Sequence, residues 1–241
     1  MKDVTIIVQG LLEQECYDFY LKNYNKYNVI ISTWSNTNID FSNLPNNFSV
    51  ILSAQPKIAG QQNINYQLVS TINALKYVDT KYVIKTRGDE YWSNFEYPLS
   101  LLIEDDSKLY TSSIWFRHFL FMAYHISDHL ICGTTDNLKK MFYECKKNWD
   151  NNIFEGYHPE VSLTKSYLNK IEPTRFNIVD GRILMNQYFS ILDIKMMRDY
   201  KIKANVFKKS WYNNFKPSEN YSIASMDTIF NNKNFYDTNI T

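Results

Sequence analysis

Four short apolar runs near the amino terminus constrain what this chain can fold into. Val4-Thr5-Ile6-Ile7-Val8, Val29-Ile30-Ile31-Ser32-Thr33, Phe48-Ser49-Val50-Ile51-Leu52 and Tyr82-Val83-Ile84 read as strands covered on both faces. Between the first two, residues 13–27 place Cys16, Phe19, Tyr20 and Asn23 at helical spacing. Before the fourth, residues 63–78 carry Ile64, Leu68, Ile72 and Leu75 as one apolar stripe. The order β-α-β-β-α-β predicts an α/β, Rossmann-like fold with a mainly parallel central sheet flanked by helices. Only Gln9-Gly10 follows the first run, so the G-x-G-x-x-G dinucleotide fingerprint is absent.

Further along, residues 109–114 suit a strand, Leu130-Ile131-Cys132-Gly133 is a short apolar run, and the aromatic run Trp115-Phe116-Arg117-His118-Phe119-Leu120-Phe121 suits core. Thr134 or Thr135 caps a helix over 136–149, with Leu138, Met141, Phe142, Cys145 and Trp149 on one face. Pro159 sits where a helix can begin, with Glu160 in its first turn. A further helix is expected over 183–192.

Lys and Arg number 26 against 25 Asp and Glu, a net charge of +1 that gives no bulk attraction for nucleic acid or an anionic membrane. The basic, aromatic stretch 207–215 would suit single-stranded nucleic acid, but this balance argues against it. Cys16, Cys132 and Cys145 are odd in number and include no close pair, so they read as buried thiols in a reducing compartment. No apolar run approaches the roughly 20 residues of a membrane span, and no signal-like start is present. The expectation is a soluble cytoplasmic protein.

The chemistry concentrates at residues 82–92. With the strand extended through Asp89, Lys85, Arg87 and Asp89 share one face while Ile84 and Thr86 take the other. Ligands bind at the carboxyl ends of strands in such sheets, and two cations with a carboxylate suit a charged one. The plain alternatives are an edge strand ending in a solvated turn, and an ion pair between these cations and Asp89. His125 and His129, around Asp128, lack the cysteines or helical i,i+4 spacing of a zinc pattern, and His125 reads as a hydrogen-bonded loop residue.

Five stretches together resemble a known family: Ile7-Val8-Gln9-Gly10, Ile31-Ser32-Thr33-Trp34, residues 63–71, residues 82–89, and His125-Ile126-Ser127-Asp128 followed by Gly133. In order and spacing they resemble the WavE-type lipopolysaccharide synthesis proteins, which are similar to glycosyltransferases of GT-A architecture. The likeness covers roughly residues 4–170, and the last third matches loosely. The family's helix pattern, approximately Asn-x-Asn-Arg-Gln, has Tyr66 here in the Arg place. The Asp-x-Asp of GT-A enzymes is Arg87-Gly88-Asp89, with a carboxylate only at its last position. The resemblance implies one GT-A-like domain over 1–241, with a nucleotide-sugar-binding half (1–92) and an acceptor-side half with C-terminal helices (93–241). It implies transfer from a nucleotide-sugar donor to a surface glycan or glycoconjugate precursor. A lipid-linked glycan acceptor would bring the chain to the cytoplasmic membrane face through its aromatic surfaces.

Such a transfer must stabilise a departing diphosphate and an oxocarbenium-like carbon, and it must deprotonate the acceptor. Asp89 and Glu90 would hold a divalent cation, Mn or Mg. Lys85 and Arg87 offer another means, since one cation about 4 Å from a phosphate oxygen contributes on the order of 4 kcal/mol at an effective dielectric near 20. Asp128 is the expected base. Glu160 is its rival, with the plain reading of a first-turn helix Glu. Gln9, Gly10, Thr33 and Trp34 would meet base and ribose, with Trp34 either stacking or packed beneath the loop. Asn65, Gln67 and Ser70 would meet hydroxyls. A non-catalytic nucleotide-sugar or glycan binding module of the same fold is the alternative.

Overall fold

The computed structural model describes residues 3–114, 116, 123–153, 158–174 and 181–201. Trp115, residues 117–121 and the stretch 207–215 lie outside the described residues.

The first apolar runs form β1 (Val4–Gln9), β2 (Asn28–Trp34), β3 (Phe48–Ser53) and β4 (Tyr82–Arg87), with α1 (Gln14–Asn23) and α2 (Ile64–Leu75) between them. After β4 come a two-residue strand, β5 (Tyr91–Trp92), then α3 (Glu96–Glu104) and β6 (Leu109–Ser112). β7 (Leu130–Thr134), α4 (Thr135–Asp150), α5 (Pro159–Ile171), α6 (Gly181–Tyr188), β8 (Phe189–Leu192) and β9 (Tyr200–Lys201) complete the order. The seven-stranded sheet runs β3-β2-β1-β4-β7-β6-β8, with β5 and β9 forming a separate small pair. β7 runs antiparallel to both β4 and β6, and every other pairing in the large sheet is parallel.

Side chains alternate across this sheet and build two cores. Ile7, Ile30, Val83 and Ile131 pack with Leu68 of α2, Leu138 of α4 and Leu163 of α5. Ile6, Ile31, Ile84 and Leu130 face the other way, onto Tyr20 of α1 and Leu102 of α3. Since Ile7 pairs with Lys85 and Gln9 with Arg87, the charged positions of β4 lie on the α2 side. β4 is therefore a central strand between β1 and β7, not an edge. All three cysteines are buried and free. Among the described residues no helix is long and apolar enough to cross a membrane.

Several boundaries differ from the sequence reading. α1 stops at Asn23, where Tyr24 leaves helical geometry at φ −102° and ψ 16°, and the Tyr24 hydroxyl turns inward to donate to the Trp92 carbonyl and accept from its N–H. α2 starts at Ile64, since Asn63 is left-handed at φ 65°. The segment 183–192 is helix only to Tyr188, where the Phe-Ser-Ile-Leu run joins the sheet beside β6. α3 was not anticipated. Its Pro98 lies in the first turn, where a missing N–H costs no helical hydrogen bond. The cap of α4 is Thr134, whose hydroxyl accepts from the Asn137 N–H.

Candidate functional site

The carboxyl ends of β1, β2 and β4 open into a cleft, closed on the far side by the start of α2 and the first turn of α5. Two glycines shape its floor. Gly10 has a positive φ of 88°, and its N–H donates to the Ser32 carbonyl. Gly88 donates to the Gln9 carbonyl at 2.8 Å and accepts from the Glu13 N–H at 3.1 Å, tying the end of β4 to the loop after β1. A Cβ at position 88 would stand 2.4 Å from the Leu11 carbonyl oxygen, with more Leu11 and Leu12 backbone behind it. Backbone cannot swing aside as a side chain can. Gly88→Ala should therefore cost about 1–3 kcal/mol through forced displacement, read as a drop of roughly 2–4 °C in Tm per kcal/mol.

The cleft holds about 340 Å³. Of the residues expected to bind or react, Gln9, Gly10, Trp34, Gln67, Arg87, Asp89, Asp128 and Glu160 line it. Arg87 is its electrostatic centre. Nε meets Asp89 Oδ1 at 2.9 Å and Nη2 meets Asp89 Oδ2 at 3.0 Å, a two-pronged pair. The same guanidinium lies 3.4 Å from Glu90 Oε1 and 3.6 Å from Asp128 Oδ2. The ion pair weighed from the sequence is thus present for Arg87.

Asp128 is held from three sides. Gln67 donates to its Oδ2 at 3.0 Å, Arg87 flanks the same oxygen, and Lys85 Nζ donates to its backbone carbonyl at 2.5 Å. Burial alone would raise the Asp128 carboxyl, but Lys85 and Arg87 outweigh it and hold the group below the usual carboxylate range. Burial pulls Lys85 down to about 8, against the opposing pull of Asp128. Glu160 goes the other way, raised by burial and then by the Asp128 charge. Two carboxyl groups in one cleft are thereby pushed apart.

The remaining expected residues sit around the cleft rather than in it. Lys85 is fully buried beneath it. Ser70, also buried, donates to Gln9 Oε1 at 2.7 Å and so fixes that amide. Thr33 is buried, and Asn65 turns away to donate to the Ile58 carbonyl. Trp34, which does line the cleft, is only 3% exposed and meets Tyr66 edge-on at 5.5 Å between ring centroids, so most of its ring is packed beneath the loop. Tyr66 and Leu11 supply the apolar wall instead, Leu11 being 61% exposed.

Asp89 and Glu90 do not fit a divalent ion. Both Asp89 oxygens accept from Arg87, whose charge would repel a cation there. Glu90 is fully buried outside the cleft lining, and its Oε1 lies 2.6 Å from His129 Nδ1. That contact raises His129, against the effect of its burial, which favours the charged imidazole beside Glu90. His125 diverges from His129. With His158 and Glu160 it brings one potential ligand atom each within 4.8 Å of the others. His125 is distant in sequence from the close pair His158 and Glu160, and no spacing rule could have joined it to them. Gln55, Gln62 and Asn63 also line the cleft unanticipated, although the polar run Gly60-Gln61-Gln62-Asn63 ahead of α2 was a usable signal.

Compared with known proteins, the chain matches no curated protein. Residues 9–229 match the family described as WavE lipopolysaccharide synthesis, reaching further into the last third than the sequence likeness did. With nearly its whole length inside that match, the chain belongs to the WavE lipopolysaccharide synthesis family.

Proposed function

We propose that this protein is a GT-A-type glycosyltransferase that moves a sugar from a nucleotide-sugar donor onto a surface glycan or glycoconjugate precursor, working in the cytoplasm or at the cytoplasmic membrane face. One observation carries the reading. At the carboxyl ends of parallel strands, a guanidinium suited to a diphosphate stands beside a hydrogen-bonded, ionised carboxylate, Asp128. Membership of a lipopolysaccharide synthesis family supports it.

In this reading Arg87 meets the diphosphate, and Tyr66 with Leu11 covers the nucleobase. Asp128 accepts the proton of the acceptor hydroxyl. In the free cleft its basicity is low, because Lys85 and Arg87 stabilise its charge. Phosphate oxygens on Arg87 would share that guanidinium and release Asp128 toward a more useful basicity, so donor binding precedes proton transfer. The local charges also support a divalent cation. Lys85, Arg87 and His129 are set against Asp89, Glu90 and Asp128, which leaves no surplus positive charge for a diphosphate.

The test is thermal stability against a panel of nucleoside diphosphates and nucleotide sugars, with and without Mn. A donor at 100 times its Kd should add about 2.7 kcal/mol, a Tm rise of roughly 5–10 °C for a chain of this size. Stabilisation confined to one nucleotide class, with transfer or slow donor hydrolysis, is the expected result. Stabilisation without any turnover would favour the non-catalytic module. No shift with any nucleotide would refute the donor assignment.

A further inference from the structure

We propose that His125, His158 and Glu160 form a binding site for a divalent transition-metal ion at the rim of the cleft. One ligand atom from each lies within 4.8 Å of the other two, and His125 Nε2 stands 3.7 Å from Glu160 Oε2. An ion at roughly 2.0–2.2 Å from each would draw them to about 3–3.5 Å apart, a side-chain adjustment. His125 comes from the loop before β7, His158 stands just ahead of α5, and Glu160 lies in its first turn.

The surroundings prepare these groups for ligation. His158 Nδ1 lies 3.0 Å from Gln62 Oε1. A carboxamide oxygen only accepts, so Nδ1 carries the proton and Nε2 keeps its lone pair, the arrangement that outer hydrogen bonds impose on metal-binding imidazoles. Gln62 is held for this contact at φ 48°, followed by Asn63 at φ 65°. Two successive non-glycine residues in the left-handed region are strained, and such strain concentrates at ligand sites. Glu160 Oε2 is buried and accepts no hydrogen bond among the described residues. An ion would complete it.

The donor set specifies the class of ion. Two imidazoles with one carboxylate suit Zn, Mn, Co or Fe(II), whereas Mg and Ca take oxygen ligands. Three protein ligands also leave coordination positions open. Glu160 and Gln62 line the cleft, which puts the site at the edge of the space assigned to the donor. The site stands on this geometry alone. That its ion meets a diphosphate rests on the glycosyltransferase reading.

The experiment uses tag-free full-length protein stripped with chelator and titrated with CoCl₂, followed by visible absorption and calorimetry without nucleotide or sugar. We expect one equivalent of Co bound with ligand-field bands, displaced by Zn and not by millimolar Mg. His158→Ala and Glu160→Gln should each weaken binding about a hundredfold or more, and Asp89→Asn should leave it unchanged. The His158 side chain caps no helix N–H, and circular dichroism checks that each variant is folded. Absence of saturable binding would overturn the site. So would binding that survives both His158→Ala and Glu160→Gln, or that disappears in Asp89→Asn. Because the readout needs no substrate, a chain that binds Co yet transfers no sugar would refute the glycosyltransferase reading and leave this site standing.

Discussion

Arg87→Met is expected to destabilise the protein by about 3–5 kcal/mol, the cost of leaving buried charges without their partner. The guanidinium touches Asp89, Glu90 and Asp128, whose side chains are 4%, 0% and 13% exposed, so water cannot replace it. At roughly 2–4 °C of Tm per kcal/mol for a chain of this size, the drop is about 10 °C. The effect must depend on pH with a definite sign. In the native protein Asp128 is held below its unfolded value, so its contribution is fully present above the ordinary carboxylate pKa and is lost as pH falls through the lowered one. Methionine at 87 removes one of the two cations responsible. The gap between variant and parent should therefore be widest near pH 7 and narrow toward pH 3, where the orphaned carboxylates take up protons. Arg87→Lys should recover only part of the loss, because an ammonium cannot form the two-pronged pair with Asp89. Adding Asp89→Asn to Arg87→Met should restore part of the stability, since Glu90 and Asp128 still lack the guanidinium. A loss under about 1 kcal/mol, equal at both pH values, would mean that these carboxylates do not depend on Arg87.

How far this network was legible in the sequence differs residue by residue. The strand alternation that put Lys85 and Arg87 on one face follows from the pleat, but β4 ends at Arg87, and Asp89 reaches the cleft from the turn that follows rather than as part of the strand. Yet alternation says nothing of depth. Lys85 lies under the cleft because β4 is central, and centrality depends on β7 entering antiparallel between β4 and β6, a pairing no local pattern encodes. β1, β2 and α2 were readable because apolar runs and a stripe at helical spacing declare their own burial. Phe189–Leu192 was not, since a short apolar run after a helix continues the helix or starts a strand with equal local sense. Asp128 and Glu160 were named from the sequence, but their opposite proton affinities come from neighbours 41 and 43 residues away for Asp128 and from burial for Glu160. Only the folded chain brings those causes together.

Asp128→Asn is expected to reduce transfer by about 10²–10⁴-fold, the range for removing a general base, while leaving the fold and donor binding in place. Asparagine matches aspartate in shape, and its carbonyl can still accept the Gln67 amide proton at the position of Oδ2. Lys85 keeps the backbone carbonyl of residue 128, which the substitution does not touch. What disappears is the negative charge. Two consequences separate a chemical role from a structural one. First, Arg87 loses one of its carboxylate partners and becomes freer for phosphate, so nucleotide-induced stabilisation should be unchanged or greater while kcat collapses. Second, Asp128 is what opposes the burial of Lys85, so its loss should push the Lys85 pKa further below its present value of about 8. A merely structural Asp128 would behave otherwise. Activity would then fall only as far as folded protein falls, and it would return when the assay is run well below the variant's Tm. Turnover that recovers on cooling would refute the base assignment. Turnover that stays lost in a folded, nucleotide-binding variant would leave proton acceptance from the acceptor as the work this carboxylate does.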